Sequence, residues 1–280
     1  MMFYQGEPGA FSEAAIRHYF PDEEPIGLPS FEAVFQRLTQ DSHAYALLPI
    51  ENAYRGPVTE VWDRLVGNDQ LTIWGEVVER VRLALMAPAG ETLDTIRRVR
   101  SHPQALMQSR GFWQARGYEA EPALDTAGSA REVAEFRWPG VAAIASPTAA
   151  ERYGLHILAA PLEDYPDNRT RFWLIAQRQP TLPEFPVDDR KATLAFDVQH
   201  QPGSLARILN IFADRRINLT KIESRPRPGY PFEFRFWIDV ALGDNDPALL
   251  FEALEEVKIH ALFYRFLGFY PAFYDVGETA

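Results

Sequence analysis

No cysteine occurs anywhere in the 280 residues, which excludes disulfides, thiolate metal sites and a cysteine nucleophile. Histidine is scarce too: the six present show no H-E-x-x-H or other paired ligand spacing, so no metal is expected. Long apolar runs are missing. Nothing approaches the ~18 uncharged residues of a spanning helix, so no membrane partner is expected. Basic residues are in deficit, 28 against 39 acidic ones for a net charge of -11. Nucleic acid is therefore not an expected partner, because phosphate neutralisation needs clustered lysine and arginine. The same imbalance gives an anionic ligand a repulsive overall field, which local arginines and helix N-termini must overcome. The opening Met1-Met2-Phe3-Tyr4-Gln5-Gly6 lacks the basic and apolar regions of a secretory leader, so the expected location is cytoplasmic.

What is present is ordinary globular material, 46% apolar and 24% charged, in a chain long enough for two domains. The first stretch reads as strand, glycine loop and helix: Tyr4-Gln5-Gly6-Glu7-Pro8-Gly9-Ala10-Phe11-Ser12, with Ser12 placed as the helix cap. Gly6 and Gly9 lack the full G-x-G-x-x-G pattern and no P-loop lysine follows, so no nucleotide cofactor is expected. A helix from Ser30 carries Phe31, Val34, Phe35 and Leu38 on one face. The apolar strand Tyr45 to Ile50 ends at Glu51-Asn52, and polar residues at the end of a buried strand sit where open α/β sheets bind ligands.

From Leu71 to Met86 the pattern reads as one or two long strands able to cross into a second lobe. Ser101 is placed as the cap of a helix begun by Pro103, whose Gln104 and Gln108 share a face. The turn Asp125-Thr126-Ala127-Gly128-Ser129, a strand to Ser146 and a return strand near Leu155 complete a set of βα units, predicting two α/β lobes around a cleft. Just past the middle, Asp167-Asn168-Arg169-Thr170-Arg171-Phe172-Trp173 sets a hydroxyl, a guanidinium and an aromatic ring at the mouth of a buried strand. That is equipment for gripping a small anion and donating a proton to it; the plainer alternative is a loop entering a strand.

Residues 180–190, rich in proline and acid, read as a stiff linker. Beyond it, Ala192, Leu194, Phe196 and Val198 alternate as a strand, and Leu205, Ile208, Leu209 and Phe212 form a helix stripe. Then come a strand from Ile217 to Ser224, a third holding Phe232, Phe234, Phe236, Ile238 and Val240, a helix after Asp246-Pro247, and a fourth strand through Leu262, Tyr264 and Phe266. The order βαββαβ is the ferredoxin-like split unit, expected to regulate or dimerise.

At this point the chain resembles a family, the prephenate dehydratases with a C-terminal ACT regulatory domain. The likeness rests on Tyr4 to Glu13, Pro49-Ile50-Glu51-Asn52, Ser101-His102-Pro103-Gln104-Ala105, Thr170-Arg171-Phe172, Pro202-Gly203-Ser204-Leu205 and Glu223-Ser224-Arg225-Pro226, in the family's order. It implies a two-lobed catalytic domain similar to type II periplasmic-binding proteins over residues 1–179, a linker over 180–190 and an ACT domain over 191–280. The implied reaction is loss of water and carbon dioxide from prephenate, giving phenylpyruvate for phenylalanine biosynthesis, without a cofactor. Arogenate on the same scaffold is one alternative, a non-catalytic amino-acid sensor another. The loop Ala53-Tyr54-Arg55-Gly56-Pro57 departs from the family's small hydroxyl residue, and Ser204 stands where the ACT motif has alanine.

For the matching positions the resemblance implies that Thr170, Asn52 and Gln108 hold and protonate the leaving hydroxyl. Physical reasoning adds Arg171 as a bidentate partner for the side-chain carboxylate and Phe172 as an apolar wall by the departing carboxylate. Ser101 and Ser12 are candidates for the remaining anion contacts. Glu51, with a raised pKa, is the alternative proton donor to Thr170. The resemblance further implies phenylalanine as effector between paired ACT domains, near Gly203, Ser204, Leu205, Asn218, Glu223, Ser224, Arg225 and Pro226, and hence a homodimer or homotetramer.

Overall fold

A computed structural model of the protein describes residues 1–177, 189–227 and 229–274. Most of the expected linker therefore lies outside the described residues. In chain order the first lobe begins with β1 (Met2–Gln5), α1 (Phe11–Tyr19), β2 (Pro25–Leu28), α2 (Phe31–Gln40), β3 (Tyr45–Asn52), the short β4 (Gly56–Pro57), α3 (Thr59–Val66) and β5 (Leu71–Arg80). The chain then passes to a second lobe of β6 (Ala84–Ala87), β7 (Arg98–Ser101), α4 (Pro103–Gln108), α5 (Arg110–Ala115), β8 (Glu119–Pro122), α6 (Thr126–Phe136), β9 (Val141–Ala145), α7 (Pro147–Tyr153) and β10 (His156–Ala159). It returns along β11 (Arg169–Gln177) and finishes with β12 (Asp189–Asp197), α8 (Ser204–Asp214), β13 (Asn218–Pro226), β14 (Phe234–Ala241), α9 (Pro247–His260) and β15 (Phe263–Tyr274).

The long apolar stretch from Leu71 splits into β5 and β6, and the break is where the chain changes lobes. In the first lobe β1 pairs in parallel with β2 and β3, and β11 runs antiparallel between β3 and β5; in the second, ordered β10-β6-β9-β7-β8, β7 pairs in parallel with β8 and β9 while β6 runs antiparallel to β9 and β10. The C-terminal unit has strand order β13-β14-β12-β15, the ferredoxin-like arrangement. The architecture is thus two α/β lobes around a cleft followed by a ferredoxin-like C-terminal unit, the arrangement the resemblance implies. Among the described residues, no helix is long and apolar enough to cross a membrane.

These sheets are not independent. β15 runs on past the expected Phe266 and pairs in parallel with β5 from Ala272 to Tyr274, so one sheet continues through both parts as β13-β14-β12-β15-β5-β11-β3-β1-β2. The extension was hidden by Gly268 and Pro271, which read as strand breakers. Gly268 is needed there because a Cβ would lie 2.4 Å from the Ile73 carbonyl oxygen. Trp62 of α3 packs on Trp173 of β11 and on Trp237 of β14, ring centroids 5.6 and 5.1 Å apart, so one aromatic core joins the first lobe to the C-terminal unit. Phe232, expected inside the third strand, instead lies before β14, 91% exposed and with φ of 65°.

Two expected caps are corrected. α1 begins at Phe11 after Ala10, without a side-chain cap, so Ser12 is inside the first turn. α4 is capped by His102, whose Nδ1 accepts from the Gln104 amide at 3.2 Å, while Ser101 is fully buried one residue earlier.

Candidate active site

Between the lobes lies a cavity of about 660 Å³. The glycine loop Gln5 to Pro8 and Ser12 line it from the first lobe, with Pro49 and Asn52 of β3 and Thr170 and Phe172 of β11 as its floor. The second lobe contributes His102, Gln104 and Gln108 at α4 and Asp125, Thr126 and Ala127 at the start of α6.

Strand geometry decides which side chains reach it. Side chains alternate across a strand, so Thr170 and Phe172 face the cavity and Arg171, between them, faces the other side of the sheet. Glu51 opposes Arg171 and Asn52 opposes Thr170, whereas Phe172 opposes Pro49 because β3 bulges at Ile50. Had the strand stayed regular through Ile50, the alternation begun at Tyr45 would turn Glu51 to the cleft and Asn52 away from it. The bulge re-aims the pair.

Asn52 is nearly buried, and its amide nitrogen donates to Asn168 Oδ1 at 2.8 Å, to the Arg169 carbonyl at 3.1 Å and to Thr170 Oγ1 at 3.1 Å. Because Asn52 fills an acceptor site of the Thr170 oxygen, the threonine proton is directed elsewhere. Gln108 brings a buried side-chain nitrogen that, among the described residues, has no hydrogen-bond partner. A buried unpaired donor costs about 1–3 kcal/mol, which a ligand acceptor would recover.

The glycine loop is held by its own helix. Glu13 accepts from the Gly9 amide at 2.6 Å, from Tyr4 Oη at 3.0 Å and from Arg17 at 2.7 Å. Burial acts to raise the Glu13 pKa, but these donors outweigh it and hold the carboxyl below the ordinary value. Across the lobes, Ser146 Oγ donates to the Gly9 carbonyl at 2.6 Å and Tyr153 Oη to the Pro8 carbonyl at 2.7 Å. Gly9, with φ of 90°, lies so close to α7 that a Cβ would meet Ala149 Cα at 2.8 Å.

The structure thus brings Thr170, Asn52, Gln108, Phe172 and Ser12 to one cleft and leaves the other candidates elsewhere. Arg171 is turned into an ion-pair cluster with Glu51 at 2.7 Å, Glu76 at 2.6 Å and Asp239 at 2.6 Å. Glu51 shares that cluster and also accepts from Lys221. Burial tends to raise its pKa, but Lys221 and Arg171 hold it below the ordinary value, opposite to what a proton donor near neutral pH requires. Ser101 spends its hydroxyl on the Ile144 carbonyl at 2.6 Å, inside the second lobe.

Though the Thr126 turn and Tyr54 were the expected places for prephenate and arogenate to be told apart, sequence reasoning passed over the His102, Gln104 and Asp125 side chains as site residues. Their signal was positional: each follows a strand end of the second lobe, where such sheets bind ligands. Asp125 accepts from the Gly128 amide at 2.5 Å, leaving the Thr126 and Ala127 amides at the α6 start. The lining residues include no lysine or arginine, so anion attraction must come from helix starts and neutral donors.

In the C-terminal unit Gly203, with φ of 83°, precedes Ser204 at the start of α8, and Leu205 packs on the core. Along β13 alternation again separates neighbours. Arg225 pairs with Asp63 of α3 at 2.8 Å and Glu223 lies 3.8 Å from Lys221, both toward the first lobe, while Ser224 and Pro226 are exposed. Asn218 begins β13 and Pro226 ends it, so within one chain they lie roughly 26 Å apart at ~3.3 Å per residue.

Comparison with known proteins settles the family. The family described as prephenate dehydratase matches residues 2–180, and the ACT domain matches residues 192–257. The chain belongs to the prephenate dehydratase family. It is 37% identical over 279 residues to arogenate dehydratase/prephenate dehydratase 2, chloroplastic, of Arabidopsis thaliana, covering 96% of this chain and 72% of that protein. A crystal structure of prephenate dehydratase in complex with L-Phe from Arthrobacter aurescens superposes with a TM-score of 0.85 at 31% identity, covering 97% of this chain and 90% of that one. Another structure, described as GqqA, a quorum-quenching acylase, superposes with the same TM-score at 33% identity, covering 97% and 98%. As a family member the protein is a dehydratase of the prephenate/arogenate class, a lyase of aromatic amino-acid biosynthesis with an ACT domain.

Proposed function

We propose that this family member carries out the decarboxylating dehydration of prephenate to phenylpyruvate. The observation that carries the reading is the convergence of Thr170, Asn52 and Gln108, from three distant segments, on one interlobe cavity. The ring carboxylate leaves as carbon dioxide, its bonding electrons enter the ring, the ring C–O bond breaks, and a proton delivered to the departing oxygen makes water. Thr170 Oγ is the donor at the breaking bond, oriented by Asn52. Threonine is a weak acid, so it supplies a strong hydrogen bond and a relayed proton, within the usual factor of about 10² to 10⁴ for general acids. Gln108 gives its unpaired N–H to the same oxygen or to a carboxylate. The starts of α1 and α6 receive the side-chain carboxylate in place of Arg171, and Phe172 with Pro49 forms the wall where loss of a charged carboxylate is favoured.

Arogenate is the second reading, favoured by one feature. The cleft is lined by the carboxylates Glu7 and Asp125 and by no side-chain cation, an environment suited to the ammonium that arogenate carries in place of the keto group. Incubation of purified protein with each substrate separately decides between them: phenylpyruvate from prephenate is expected, phenylalanine from arogenate supports the second reading, and turnover of neither refutes both.

Phenylalanine feedback through the ACT unit belongs to the same proposal, with Gly203, Ser204, Leu205 and the β13 end supplying backbone amides and acceptors. It is tested by adding phenylalanine while recording rate, Tm and association state, all three of which would stay unchanged if the reading were wrong. Domain limits of 1–179 and 191–280 and pairing of copies as a dimer or tetramer complete it.

A further inference from the structure

Behind the cleft floor lies a cluster of charges that the proposed chemistry does not use. Arg171 is nearly buried on the central strand β11, and its guanidinium is shared by carboxylates from three other strands: Glu51 of β3, Glu76 of β5 and Asp239 of β14. Lys191 of β12 donates to the other oxygen of Glu76 at 2.8 Å, and Lys221 of β13 donates to the other oxygen of Glu51. Three acids thus meet three cations, with Glu223 as a fourth acid at the edge, 3.8 Å from Lys221. Asp239, Lys191 and Lys221 come from the C-terminal unit, the rest from the first lobe.

The placement is specific. Arg171 sits between Thr170 and Phe172, which face the cleft, and Glu51 sits beside Asn52 at the β3 bulge. The Asn52 to Thr170 hydrogen bond of 3.1 Å spans the same two strands that the Arg171 to Glu51 pair spans on the reverse face. Any tilt or slide of β3 against β11 changes both together.

We propose that Arg171 and Glu51 are positioning residues, and that the C-terminal unit sets the Asn52 to Thr170 geometry through Lys221 and Asp239. The proposal rests on the reading of Asn52 and Thr170 as groups that touch substrate. Removal of Lys221 leaves Glu51 held by Arg171 alone and leaves the cluster with a net negative charge. Arg171 is drawn toward Glu51, and the two strands shift against each other by a fraction of an ångström. Loss of geometry on that scale acts on the step more than on binding, because the side-chain carboxylate is received at helix starts on other elements.

The test compares Lys221→Met, Lys221→Arg and, as a control, Asp63→Asn, which removes the charge from a different contact between the two parts. Expected is a fall in kcat of about tenfold for K221M with KM within about twofold, recovery to within about threefold in K221R, and wild-type kcat in D63N. Wild-type kcat in K221M, or an equal fall in D63N, overturns the proposal. Should K221M fail to fold, Glu51→Gln, nearly isosteric, is expected to show the same split, and wild-type kcat in E51Q overturns it equally. Hydrogen–deuterium exchange gives a readout independent of turnover: faster exchange is expected in peptides covering 48–53 and 169–173 of K221M, and unchanged exchange there counts against the proposal. A wild-type protein that converts neither prephenate nor arogenate refutes the functional reading instead, and the exchange measurement still decides the mechanical one.

Discussion

Side-chain direction separates Thr170 from Arg171 more sharply than their adjacency suggests. The hydroxyl meets the cleft and the guanidinium meets Glu51, Glu76 and Asp239 on the reverse face. Thr170→Ala should therefore lower kcat by about 10² to 10⁴ with little change in KM, in steady-state assays of the substrate that the wild type converts. Grouping both residues in one crevice fails on the two-residue period, which the sequence displays. What the sequence does not display is the bulge at Ile50, since an extra residue in a strand looks like any other apolar position. Thr170 and Asn52 stood out by position, at the mouth of one buried strand and the end of another, but the roles given to them and to Gln108 came from the match to family motifs, because an amide or hydroxyl at a strand end is equally a turn residue. Glu13 makes a second prediction at this scale. Its folded pKa is depressed, so its stabilisation is complete above the ordinary carboxylate value of 4.5 and is lost as pH falls through its lower folded value. Glu13→Gln should cost about 2 kcal/mol at pH 7 by denaturant titration, and the difference from wild type should shrink toward pH 3.

At the level of elements, most helices and strands followed from apolar period and punctuation, as α2 shows, starting after Ser30, whose hydroxyl accepts from the Ala33 amide at 3.1 Å. The misses beyond the helix caps depend on contacts between segments far apart in the chain. The far half of β15 is a strand because β5 offers it an edge, and Gly268 only makes sense beside Ile73. Gly9 is the counterpart between lobes. Gly9→Ala combines a positive φ with a Cβ set 2.8 Å from Ala149 Cα, and it should destabilise the protein by about 1–3 kcal/mol and raise KM as α7 is pushed from the loop. Urea unfolding and steady-state kinetics check the two effects separately.

For the whole molecule, the shared sheet and the Trp62, Trp173 and Trp237 core predict that the first lobe and the C-terminal unit melt as one cooperative unit. Calorimetry should show a common transition for both, and Trp237→Ala should lower it by a loss of about 3–5 kcal/mol without uncoupling them. The division into two parts was legible from the change of pattern after residue 190, yet their fusion was not, since the pairing of β15 with β5 leaves no local mark. The chain passes between the lobes twice, just after Arg80 and just before Arg169, and the Val81 amide bonds the Asn168 carbonyl at 2.8 Å, tying the crossings together. That tie is a pivot set next to Thr170. Any parting of the lobes about it must first break the Ser146 to Gly9 and Tyr153 to Pro8 bonds, so the glycine loop that lines the cleft also latches it, and Thr170, beside the tie, is the lining residue such a motion would displace least.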